Sequence, residues 1–274
     1  MLPLMLDDFH KVLTSARGEA EPFSRADVRT ALRRAVALDL HASVEVAPGL
    51  ILTPHYAGHV LGAAMFEARA GGVSVVYTGD YNTAADRHLG PARLPRLTPD
   101  LLITESTYAT TVRGPKRVRE AEFVSAVVAA LTHGGRVLVP VFALGRAQEL
   151  MCLLDDHWER MGLTVRGRGG GGWWVVGPAS RPRSQPLPSP PLPPLQYPIF
   201  YSAGMTARAN AYYNLLTGWA AERVRGAAAA GARPFAFARM APFTRGMADA
   251  PGPLVLFATP GMLHGGQSLE MFKR

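Results

Sequence analysis

Strand-like apolar runs recur along this chain, and most end in a glycine or a polar residue before a helical pattern begins. ILTP starts at 51, VSVVYTGD at 73, DLLITES at 100, RVLVPV at 136, PIFYSAG at 198 and PLVLFATPG at 253. Ser24 is an N-cap candidate for RADVRTALRRAVAL, in which Val28, Leu32, Val36 and Ala37 fall at helical spacing. Over 116–133, Val124, Val127, Val128 and Leu131 share one face, and Gly134 reads as the residue that stops the helix. RAQELMCLLDDHWERM, starting near Gly145, reads as a second helix and NAYYNLLTGWAAERV as a third. Alternating strand, turn and helix indicates an α/β architecture.

With 274 residues, 48% of them apolar, the chain can build one large domain or two modest ones. No apolar run approaches the roughly 20 residues that a membrane helix needs, so no membrane partner is expected. The start, MLPLMLDDFHKV, meets Asp7 and Asp8 early and makes a poor signal peptide. Cys152 is the only cysteine, which rules out an internal disulfide and fits a reducing compartment. The formal charge of +8 suits a polyanionic partner, and a solvated basic surface accounts for it equally well.

One segment breaks the alternation. Residues 166–196, RGRGGGGWWVVGPASRPRSQPLPSPPLPPLQ, are Gly-rich and then Pro-rich, with no acidic residue and no usable period. Such a composition buries too little to offset the entropy of ordering, so no regular secondary structure is expected there. It reads as intron-derived sequence, with a proline-rich docking linker as the alternative.

Polar groups stand at the ends of the early strands. His55 and His59 follow ILTP, Asp80 follows VSVVYTG, and Glu105 follows DLLIT. A lone histidine after a strand is more often structural, and an aspartate there is commonly a cap or turn former. Together, however, His59, Asp80 and Glu105 each end an apparently buried strand, and such ends point to one rim of an α/β sheet. Zinc accepts imidazole nitrogen and carboxylate oxygen, and a carboxylate can bridge two ions about 3.5–4 Å apart.

YAGHVLGAAMF, YTGDYN, DRHLG, LLITESTYATT, VPVFALGRAQEL and FATPGMLHGGQS, in this order, resemble the metallo-β-lactamase/β-CASP nucleases. Tyr81-Asn82, Ala109-Thr110-Thr111, and Phe257, Thr259 and His264 point to the Integrator branch rather than the cleavage-and-polyadenylation branch. The resemblance implies an α/β fold: a partial metallo-β-lactamase αββα domain over 1–115 and a partial β-CASP α/β domain over 116–274, interrupted by 166–196. It implies that His59 is a zinc ligand and that Asp80 bridges two zinc ions. Glu105 is implied to be the first acidic β-CASP motif, orienting a ligand or the leaving-group machinery. His55 matches no metal motif and is left structural. The implied activity is endonucleolytic hydrolysis of RNA in the nucleus, with the cytoplasm as a second location. The implied partners are RNA and other Integrator subunits, Integrator complex subunit 9 among them.

The family's HxHxDH motif is not present in this sequence, and the final zinc ligand is expected beyond Arg274. With only His59 and Asp80 as ligands, the chain alone is expected to hold neither zinc ion and to be inactive. Without cations, Asp80 and Glu105 are expected to repel and to favour protonation or outward rotation. VPVFALGRAQE and YSAGMTARAN each pass from strand through turn to helix start, where free N–H groups and a positive dipole favour phosphate. Arg146 and Arg208 would add charge-assisted contacts to RNA there, or serve only as local caps. Two rival readings are a non-catalytic β-CASP-type scaffold without zinc and a small-molecule hydrolase of the wider superfamily. The β-CASP-like half from Lys116 onward argues against the hydrolase.

Overall fold

The predicted alternation appears, among the described residues, as two larger sheets and a two-stranded ribbon. In the computed structural model, which describes residues 2–11, 23–93, 98–160, 164–166, 175–177 and 197–274, the chain begins with α1 (Leu2–Lys11) and α2 (Arg25–Arg34). Strands β1 (Val44–Ala47), β2 (Leu50–Tyr56), β3 (Ala64–Ala70), β4 (Val73–Tyr77) and β5 (Leu101–Ile103) follow. Next come α3 (Lys116–Thr132), β6 (Arg136–Pro140), α4 (Arg146–Arg160), β7 (Thr164–Arg166), β8 (Val175–Gly177) and β9 (Ile199–Ser202). The remainder is α5 (Met205–Leu215), α6 (Glu222–Ala229), β10 (Met240–Phe243), β11 (Leu254–Ala258) and α7 (Gly266–Phe272). Among the described residues, no helix is long and apolar enough to cross a membrane.

The chain divides into two units: Met1–Val112 with Tyr212–Pro234, and Arg113–Ala211 with Phe235–Arg274. In the first unit the sheet order is β1-β2-β3-β4-β5. The first four strands pair antiparallel and β5 lies parallel to β4. Period-2 alternation divides β3 and β4, whereas all three residues of β5 are exposed. Met65, Glu67 and Val76 are buried on one face. On the other, Val73 (55%), Tyr77 (56%), Leu101 (53%) and Ile103 (46%) stay exposed. The run at 100–106, read as a buried strand, is therefore an exposed edge strand. Among the described residues it pairs with β4 alone, and apolar composition does not reveal whether anything covers it.

Two helix readings change at their ends. Ser24 caps α2 with a full capping box to Asp27, as its spacing predicts. The helix then stops at Arg34, because Ala35 turns extended (φ −71°, ψ 128°) and leaves Val36 exposed. The helix read over NAYYNLLTGWAAERV is instead the end of α5, a short 3-10 turn at Thr217–Trp219, and α6. Gly218 and Thr217 are weak helix formers, and this stretch packs back on the first unit. Tyr56 Oη donates to the Trp219 carbonyl (2.7 Å), with their rings 5.7 Å apart, and Ala221 N donates to the His88 carbonyl (3.1 Å).

In the second unit the sheet order is β10-β9-β11-β6, all parallel. Every residue of β9 and β11 is buried, as expected for parallel strands covered on both faces. Trp158, Met151 and Leu154 of α4 are fully buried, and Phe200 meets Phe243 edge-on at 5.9 Å. Helix α3 buries Val124, Val127 and Leu131 and ends as its sequence predicts. Gly134 (φ +78°) donates to the Leu131 carbonyl and Gly135 to the Ala130 carbonyl, which is the Schellman pattern.

Part of the Gly/Pro-rich stretch departs from the expectation of no regular structure. Val175–Gly177 pairs antiparallel with Thr164–Arg166 as β8 on β7. The apolar WWVV run inside the stretch supplies β-forming residues that the overall composition masks. For the rest, residues 167–174 and 178–196 lie outside the described residues, as does the expectation made for them.

Candidate metal centre

The site residues of the first unit reach one edge because of strand direction. β2 and β4 both run antiparallel to β3, and β5 runs parallel to β4. The carboxyl ends of all three therefore lie at the same rim. His59 sits in the loop after Tyr56, Asp80 three residues past Tyr77, and Glu105 two residues past Ile103, the strand partner of Tyr77. His59 Nε2 stands 3.6 Å from Asp80 Oδ2, with side chains 45% and 66% exposed. Asp80 and Glu105 line a shallow pocket of about 310 Å³ with Tyr77, Gly79 and Thr104.

Backbone bonds fix the two loops to one another. Asn82 N donates to the Ala57 carbonyl (2.9 Å), Ala92 N to the Asn82 carbonyl (2.6 Å), and Arg93 N to the Tyr56 carbonyl (3.0 Å). Gly58 (φ +66°) lies inside this clamp, and a Cβ there would come within 2.7 Å of both Ala92 N and Gly90 O. Close packing thus occurs at the glycine before His59, whereas Gly62 after it faces open space. Asn82 and Gly58 are thus positioning residues that sequence reasoning missed. Their signal was the positive-φ demand of a Gly next to a candidate ligand, together with an Asn suited to turns.

The electrostatics around Glu105 differ from expectation. Its carboxyl is held below the usual glutamate range, first by the side-chain hydrogen bond with Thr107. The Thr107 backbone N–H (3.2 Å to Oε2), the Tyr81 backbone and the charge of His59 add to this. Glu105 therefore favours its ionised form, because these donors outweigh the opposing effect of burial. Thr78 Oγ1 donates to the Gly79 carbonyl (2.8 Å) and lies 3.2 Å from the Thr104 hydroxyl, from which it can accept, joining the residues that precede the two carboxylates.

His55, near the carboxyl end of β2, is buried and does not line the pocket of Asp80 and Glu105. Its Nε2 faces Glu67 Oε2 and its Nδ1 faces His41 Nδ1, each at 3.3 Å. Arg69 Nε donates to the other Glu67 oxygen at 2.6 Å. A buried histidine satisfied on both nitrogens is a structural group. Arg146 and Arg208 belong to the second unit. Arg146 is the first residue of α4, after the turn that follows β6, and Arg208 lies in the first turn of α5, after β9. Buried Gln148 fixes the first of these turns: its Oε1 accepts from Gly145 N (2.8 Å) and its Nε2 donates to the Ala143 carbonyl (3.0 Å) and Asn210 Oδ1 (2.9 Å).

Two domain matches span the larger part of the chain: a metallo-beta-lactamase superfamily domain over residues 4–105 and a Beta-Casp domain over residues 188–274. The chain belongs to the metallo-β-lactamase/β-CASP family. Within that family it is 44% identical over 271 residues to cleavage and polyadenylation specificity factor subunit 3-II of Arabidopsis thaliana, covering 99% of this chain and 39% of that protein. It is 43% identical over 272 residues to Integrator complex subunit 11 of Gallus gallus, covering 99% and 40%. To endoribonuclease ysh1 of Schizosaccharomyces pombe it is 34% identical over 272 residues, covering 98% and 31%. The chain thus spans about two fifths of the length of the first two relatives.

Proposed function

We propose that this chain is part of a zinc-dependent endonuclease that hydrolyses RNA phosphodiester bonds. In this reading it is the catalytic subunit of an Integrator-type complex, acting in the nucleus on the 3′ ends of small nuclear and other nascent RNAs. Its partners are other Integrator subunits, with Integrator complex subunit 9 among them. The observation that carries the reading is the approach of His59 to Asp80 at the rim that also bears Glu105. Relatives named endoribonuclease and Integrator complex subunit 11 support the substrate class.

The residues present fit the metal. Two ligands of one tetrahedral zinc lie roughly 3.3 Å apart, close to the 3.6 Å between His59 Nε2 and Asp80 Oδ2. One imidazole nitrogen and one carboxylate oxygen, both reachable from solvent, form a donor set that zinc accepts. His59 and Asp80 would hold the ion, with Asp80 able to serve two ions through its two oxygens. The bound metal would supply a water of lowered pKa and stabilise the charge that develops on phosphate. Glu105, held ionised, would orient the ligand set or the departing group. Arg146 and Arg208, each near a helix N-terminus, would contact the RNA backbone.

The test is a cleavage assay on a chain that supplies the remaining family ligands, with zinc quantified per mole of protein. Zinc-dependent cleavage of single-stranded RNA that is lost in Asp80→Asn supports the reading. A folded, zinc-free and inactive protein that still binds RNA would make it a scaffold instead.

A further inference from the structure

The second unit has a crevice of about 490 Å³ where β9, β10 and β11 end. Ser202 closes β9, Phe243 closes β10 and Thr259 follows β11. The chain runs from β9 outward to β10 and then returns past β9 to β11, so the strand order reverses between β9 and β11. Open parallel sheets bind ligands at such reversals, beyond the carboxyl ends of the strands. The volume lies in the range of small-molecule sites.

The polar groups in the crevice have a defined polarity. Thr259 N donates to Ser202 Oγ (3.1 Å), and Ser202 Oγ donates its one proton to Gln267 Oε1 (2.5 Å). The Gln267 amide is thereby held with its oxygen toward Ser202, leaving its NH₂ group for a ligand. Three residues on along α7, Glu270 lies on the same helical face and lines the same crevice. Its carboxylate meets Arg245 at 3.9 Å, with side chains 42% and 89% exposed, a pairing too loose and too solvated to hold it. The crevice therefore presents a pre-set donor beside an available carboxylate acceptor, with a guanidinium at the rim and the buried Phe243 as an apolar wall.

We propose that this crevice binds a guanine base. The inference rests on the reading of the chain as an RNA-acting enzyme and names a base that it prefers. Guanine presents two adjacent donors, N1–H and N2–H, to a carboxylate, and one acceptor, O6, to the Gln267 amide. Adenine turns the lone pair of N1 toward the same carboxylate. Uracil and cytosine each offer a single donor position beside an acceptor. Unstacked bases of single-stranded RNA are read on these edges. Arg245 at the rim reaches a phosphate of the same nucleotide.

The test uses the 274-residue chain and fluorescence anisotropy with two uridine-rich oligoribonucleotides, one with a single central guanosine and one with adenosine there. The guanosine strand should bind about tenfold more tightly. Glu270→Gln should remove that difference and leave the adenosine strand within about twofold of its original affinity. Competition with guanosine and adenosine monophosphates separates the sources. A preference seen only in the strand assigns the pocket to RNA, and equal potency of the guanosine monophosphate assigns it to a free nucleotide. Equal affinity for both strands, or a preference that survives Glu270→Gln, overturns the guanine pocket while leaving the endonuclease reading intact. Failure of either strand to bind overturns the pocket together with RNA binding by this chain.

Discussion

His59 Nε2 and Asp80 Oδ2 face each other across 3.6 Å, although 21 positions separate the two residues in the chain. Their approach follows from β2 and β4 running the same way on either side of β3, and from the backbone bond between Asn82 and Ala57. In a chain that supplies the remaining family ligands, Asp80→Asn keeps the volume and removes the charge. RNA cleavage should fall by at least about a hundredfold, with thermal stability and RNA binding nearly unchanged, because a lost ligand charge removes most of the metal's contribution. Undiminished cleavage would end the assignment of Asp80.

Expressed as these 274 residues, the protein should bind zinc weakly and lose it on dialysis. His59 and Asp80 give two donors where a catalytic zinc takes about three from protein. Metal analysis before and after dialysis checks this. Retention of stoichiometric zinc would mean that other donors on this chain complete the set.

Glu105 should titrate below an ordinary glutamate, and replacing Thr107 with valine should move it upward. Because the folded-state value is depressed, its contribution to stability is present above the unfolded value and is lost as pH falls through the folded one. Carboxyl NMR of both proteins reads the midpoint directly. An elevated midpoint in the parent chain would show that repulsion from Asp80 prevails.

Tyr56 ties Trp219 to the first sheet, and burial pushes its hydroxyl up to about 12. Tyr56→Phe should cost about 1 kcal/mol by leaving the Trp219 carbonyl without its donor. The folded value is raised, so the contribution is intact below pH 10.0, the ordinary tyrosine value, and is lost as pH rises toward 12. Chemical denaturation of parent and variant at neutral and alkaline pH tests both the size and the sign.

Gly58→Ala should destabilise by about 2 kcal/mol or more, since it combines a positive φ with contacts at 2.7 Å. The same change should weaken metal binding at His59, the next residue, more than an equal destabilisation introduced elsewhere. Zinc titrations of Gly58→Ala and of a second-unit core variant matched to its loss of stability, both in a chain that supplies the remaining family ligands, separate the two effects.

What the sequence revealed and what it hid have local causes. The α2 cap at Ser24 and the α3 stop at Gly134 depend on bonds within a few residues, and both were readable. The rim shared by His59, Asp80 and Glu105 was readable because each follows an apolar run. The break at Leu216–Ala221 was not, because the return of Trp219 to Tyr56 is a contact across 163 positions. Nor was the Asn82–Ala57 clamp, since a backbone hydrogen bond leaves no mark on side-chain identity. The Glu105 ionisation depends on Thr107 in the adjoining turn, and its two-residue spacing was visible without the conformation that gives it meaning.

The open face of β3, β4 and β5 has a practical consequence for this chain. Val73, Tyr77, Leu101 and Ile103 present an oily surface beside a strand whose outer backbone groups have no ladder partner among the described residues. Chaperones bind such surfaces, and concentrated samples stack along them. A dilute preparation in a mild non-ionic detergent will hold the isolated chain in solution longer than a concentrated one in high sulfate, where burial of that face is favoured most.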